Sequence, residues 1–166
     1  MNNMVLVNRK LIVTNKSKYP TDEIIKLLKF ARQLLPVNPL VHIGTTYRGW
    51  KGWAKKHEIA LYLGKANKFP TQLTPKYCFK GSWIPDHKMT WDSALLMVAA
   101  HEFYHVYQMV KGVPCSEKDA EAYCISRLMA YLSTKGINPP IIKAQRWEYQ
   151  TIHGVTKVKY HFTYCT

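Results

Sequence analysis

His101, Glu102 and His105 stand together in the run HEFYH, an H-E-x-x-H spacing. On a helix, positions four apart lie one turn above each other on the same face, so both imidazoles can reach one metal ion. Glu102 follows the first histidine by one residue. In this motif it reaches a water on the metal rather than the metal itself, and can take its proton. Imidazole and carboxylate ligands suit zinc, which keeps a coordination position open at catalytic sites. A third protein ligand is needed, and three acids follow: Glu117, Asp119 and Glu121. Glu117 and Glu121 are four apart and share a helix face, whereas Asp119 lies roughly opposite and suits the helix start. Either glutamate can be the ligand, leaving the other to hold a ligand histidine from behind.

These residues need two helices joined by a short turn. Thr90 is a candidate N-cap for a helix from Trp91 to about Val110, with Asp92 suited to the positive end of its dipole. Leu95, Leu96, Val98, Ala99, Phe103 and Val106 give it helical apolar spacing. Gly112 and Pro114 break it. Ser116 opens a second helix, with Asp119 three residues on, that runs to about Ser133. The turn VKGVP is short enough for the second helix to fold back on the first.

Ahead of this pair, Met4 to Val7 and Leu11 to Thr14 read as short strands. A helix capped at Thr21 follows, its apolar face made by Ile24, Ile25, Leu27, Leu28, Ala31, Leu34 and Leu35, with Pro36 ending it. Leu40 to Thr46 and Glu58 to Leu63 are strand-like, and YRGWKGWAKKH between them suggests a loop or twisted hairpin. Gly64 to Trp83 is loop-like, with a strand at Tyr77 to Phe79. Val155 to Tyr164 alternates as a final strand should. The expectation is one α+β domain over residues 1–166, a short mixed or antiparallel sheet packed on the motif helix and the glutamate helix.

The sequence carries 24 lysines and arginines against 10 acids, a formal charge of +14. Such a field attracts nucleic acid at low salt, so weak nucleic-acid binding joins a peptide or protein substrate among the expected partners. The Trp50 and Trp53 pair among Arg48, Lys51, Lys55 and Lys56 can stack bases or pack a hairpin. Asn8, Arg9 and Lys10 interrupt the N-terminal apolar run, and Ala94 to Ala100 is too short to span a bilayer, so the expected location is cytoplasmic, without membrane association. Cys78, Cys115, Cys124 and Cys165 form no C-x-x-C pair, which argues against a zinc ribbon or a disulfide framework.

HEFYHVYQ followed by SEKDAEAYC resembles the gluzincin branch of zinc metallopeptidases, whose small members include the minigluzincins and the ImmA/IrrE-type peptidase domains. The resemblance covers about Ser93 to Leu128. It implies a small zincin-like fold and peptide hydrolysis, with zinc held by His101, His105 and Glu117, Glu102 as general base and Glu121 supporting a ligand histidine. Glu121 stands where that pattern has aspartate or asparagine. By the same analogy an edge strand pairs with an extended substrate, and Glu58 to Leu63 is the candidate. Tyr131, His153, Tyr160 and His161 are candidates to steady an oxyanion. Two other readings are a nucleic-acid-associated protease of the SprT-like kind, which uses a third histidine, and a non-catalytic zinc-stabilised binding protein. Glu102 argues against the latter, since a structural site needs no base.

Overall fold

A computed structural model describes residues 11–47, 49–65, 68–72, 83–152 and 155–164, with backbone alone for 71–72, 144–152 and 155–164. The expected strands at Met4 to Val7 and Tyr77 to Phe79 lie outside these residues. The fold is mixed α+β. A four-stranded sheet is built from β1 (Val13–Asn15), β2 (Leu40–Thr46), β3 (Lys51–Lys55) and β4 (Glu58–Gly64), in the order β1-β2-β4-β3. β2 runs parallel to both β1 and β4, and β3 is antiparallel to β4. The candidate edge at Glu58 to Leu63 is therefore corrected. β4 lies between β2 and β3, and its IALYLG run is buried almost throughout, as an inner strand requires. Among the described residues the edge strands of this sheet are β1 and β3, the latter drawn from the tryptophan-rich segment.

Helix α1 (Thr21–Arg32) buries Ile24, Leu27, Leu28 and Ala31, the i, i+3, i+4, i+7 pattern of one face. It starts after Pro20 rather than at a Thr21 cap, and it ends four residues before Pro36. Leu34 consequently leaves the helical face and is exposed. Two side chains of α3 (Glu117–Thr134) close its C-terminus. The Arg127 guanidinium donates to the Phe30 carbonyl at 2.9 Å and to Gln33 Oε1 at 2.9 Å, and the Tyr123 hydroxyl donates to the Ala31 carbonyl at 2.7 Å. These donors add to the backbone at the helix end, where the Phe30 carbonyl also accepts the Gln33 N–H at 3.3 Å.

Helix α2 (Trp91–Lys111) is the centre of the fold, in contact with α1, α3, β3 and β4. Surrounded in this way, it is buried on several faces rather than one: Leu95, Leu96, Ala99, Ala100, Phe103 and Val106 are fully enclosed. Phe103, inside the motif, anchors it; such a residue is worth about 3–5 kcal/mol against alanine. Short strands β5 (Thr71–Gln72) and β7 (Lys88–Met89) pair with each other. β6 (Trp83–Pro85), β8 (Ile141–Ile152) and β9 (Val155–Tyr164) form an antiparallel three-stranded sheet in the order β6-β8-β9. Among the described residues no helix is long and apolar enough to cross a membrane.

Candidate metal centre

Two caps and one turn place the motif. At the start of α2, Ser93 Oγ accepts the Thr90 N–H at 2.9 Å. At its end Gly112 takes a left-handed φ of 70°, open to glycine at no steric cost, and the Val113 N–H returns to the Gln108 carbonyl at 3.0 Å. The chain then reverses to Ser116, whose Oγ accepts the Asp119 N–H at 3.3 Å as the N-cap of α3. Glu117, the first residue of that helix, is thus carried back to the histidines.

Ligand-type atoms of His101, His105 and Glu117 all lie within 4.8 Å of one another. The two Nε2 atoms are 3.0 Å apart, with the rings nearly perpendicular. Glu117 Oε2 is 3.1 Å from His101 Nε2, and Oε1 is 3.2 Å from His105 Nε2. Bonds of about 2.0–2.2 Å in a tetrahedral zinc site put neighbouring donors about 3.3–3.6 Å apart, so the donor set fits that ion in type and comes within a few tenths of an ångström of its spacing. Burial, then the adjacent His105, lowers the His101 pKa, opposed by Glu117. Neutral imidazole is the form that binds a cation. Glu121 is not in this group.

Glu102 is 7% exposed, and its carboxyl is pushed up to about 7, first by burial and then by the negative charge of Glu117. Gly52 of β3 lies against it: a Cβ on that glycine would stand 2.5 Å from Glu102 Cγ and 2.8 Å from Oε1. Sequence reasoning passed over this glycine, although a glycine inside a strand marks close approach. It also passed over Gln108, three residues beyond His105 on the same helix face, whose Oε1 is 3.0 Å from His105 Nδ1.

The remaining candidates sort as follows. The Tyr131 hydroxyl donates to Asp92 Oδ2 at 2.6 Å. Asp92 is nine residues before His101, about 13 Å along the helix, so Tyr131 is engaged away from the donor group. His153 and the side chains of Tyr160 and His161 lie outside the described residues. Trp50 is buried against Tyr19 and Phe69, while the Lys55 ammonium lies over Trp53. Cys115 is an exposed free thiol, and the buried Cys124 thiol donates to the Glu121 carbonyl at 3.2 Å.

No protein-family model, curated protein or solved structure matches the chain.

Proposed function

We propose that the chain is a zinc-dependent peptidase of the gluzincin kind, with His101, His105 and Glu117 as ligands and Glu102 as general base. The observation that carries this reading is the convergence of those three donors beside a buried carboxylate from the same helix turn. Bound there, zinc would act as a Lewis acid toward a carbonyl oxygen and acidify water. Glu102 accepts a proton from the attacking water and returns it to the leaving amine as the peptide C–N bond breaks. Its raised pKa suits a group that both takes and returns a proton, and a nearby cation would draw that pKa down. Gly52 lets the β3 edge approach that carboxylate, so an extended peptide added to this edge passes beside the base. The excess of basic residues favours, as a second reading, a protease recruited to nucleic acid.

The test combines metal analysis with peptide hydrolysis. The parent should carry about one zinc per chain. Glu102→Gln should keep that zinc and lose turnover. Glu117→Ala should lose both, while Glu121→Ala keeps metal at saturating zinc. A Glu102→Gln protein that cuts at the parental rate would remove Glu102 from the chemistry.

A further inference from the structure

We infer that Gln108 is a positioning residue for this metal centre, fixing the ring of His105 and the start of the Glu117 helix through one amide oxygen. The inference rests on the metal reading above.

Gln108 is 3% exposed, so its side chain has no water to fall back on. Two groups face its Oε1: His105 Nδ1 at 3.0 Å and the Ser116 backbone N–H at 3.3 Å. The second settles the orientation of the amide. A backbone N–H can only donate, so the atom it meets must be the oxygen. His105 Nδ1, facing the same oxygen, must then carry a proton and donate too. With Nδ1–H engaged, the lone pair of Nε2 is the one presented toward His101 and Glu117, as metal ligation demands. The Ser116 N–H precedes Glu117 by one residue, so the same oxygen ties the second ligand to the helix that delivers the third. The turn is held to Gln108 a second time, since its backbone carbonyl accepts the Val113 N–H at 3.0 Å. An acceptor at this place serves ligand geometry; an apolar side chain of equal volume would fill the space without doing so.

The experiment is a zinc titration by chelator competition on the full chain, for the parent, Gln108→Met and Gln108→Glu, with thermal melts of the metal-free proteins alongside. Methionine nearly matches glutamine in volume and helix preference but is a poor acceptor, whereas glutamate restores an oxygen. Gln108→Met should weaken zinc binding ~10–100-fold and Gln108→Glu should stay within about threefold of the parent. Parental affinity in Gln108→Met overturns the inference, as does an equal loss in both variants, which would mark a packing role. Should Gln108→Met not fold, Gln108→Glu decides alone: retained affinity supports the acceptor, lost affinity overturns it. A parent without zinc affinity overturns the metal reading and this inference with it, and the parent's own titration tells that failure apart.

Discussion

Glu102 lies in a gap that a glycine leaves. Its carboxylate is buried between the helix it belongs to and a neighbouring strand, and the strand comes so close that only hydrogen fits on the Gly52 Cα. A methyl group there would meet not just the tip of the glutamate but its Cγ at 2.5 Å, so the whole side chain must turn. On the function proposed above, Gly52→Ala should keep metal and fold while losing catalysis, because the proposed base Glu102 is displaced and the proposed ligands are not. A misplacement of about 1 Å can cost ~100-fold in rate, and overpacking costs about 1–3 kcal/mol in stability. Measuring zinc content, melting temperature and peptide turnover on one preparation separates these effects. Unchanged turnover would show that Glu102 has room to relax, and that the close strand does not set its position. The same logic separates what can be read from the sequence here and what cannot. His101, Glu102 and His105 declare themselves by spacing along one helix, whereas Gly52 and Gln108 matter through neighbours that chain reversal brings in.

The two helices of the site were legible because their ends carry local chemistry: Thr90 with Ser93, Gly112 in a left-handed conformation, and Ser116 as N-cap. That local chemistry also left Glu117 and Glu121 as equal candidates; the tight turn after Gly112 brings Glu117 into the donor group. β8 escaped notice for the opposite reason. IIKAQRWEYQTI lacks clean alternation, its hairpin pairing with β9 carries a register shift between Arg146 and Glu148, and its other partner, β6, is remote in sequence. β3 was legible as a hairpin and not as an edge, since strand order is set by tertiary contacts. The start of α2 supplies a test of how its N-terminus is held. Burial pushes the Asp92 carboxyl up, but hydrogen bonds from Lys135, Thr90 and Tyr131 outweigh it and hold the pKa well below the usual carboxylate range. A carboxylate depressed in the folded state contributes stability that is present above its unfolded pKa of about 3.9 and lost as pH falls toward the folded value. The melting temperature should thus drop below about pH 4. Asp92→Asn should lose about 1–2 kcal/mol at pH 7, with Lys135 half-exposed and screened, and should show a shallower acid limb. Parallel melting curves against pH for the two proteins would contradict this account.

At the scale of the whole molecule, charge is the property the fold leaves unexplained. Twenty-four basic residues against 10 acids give +14 over 166 residues, and within the described residues the donor group and the buried carboxyl beside it take up two of those acids, Glu117 and Glu102. A third, Asp92, is paired with Lys135, and a fourth, Glu58, lies 3.1 Å from His42. The acids are thus partly spent on internal pairs, which leaves an excess of lysine and arginine to set the outer field. Two expectations diverge from here. If the charge serves only solubility, binding to polyanions is negligible at moderate salt. If it recruits the chain to nucleic acid, binding is driven by release of condensed counterions and must weaken with a defined slope. For about four phosphate contacts on duplex DNA, the association constant falls by about 100-fold between 50 and 200 mM salt. We expect this behaviour in fluorescence anisotropy with a short labelled duplex of mixed sequence, with affinity in the ~10⁻⁴–10⁻⁶ M range of non-specific binding. Zinc-free Glu117→Ala protein should bind equally well, because the surface field does not depend on the metal. Absence of any anisotropy change at 50 mM salt would rule out the nucleic-acid reading, and a salt-independent signal would rule out counterion release as its cause.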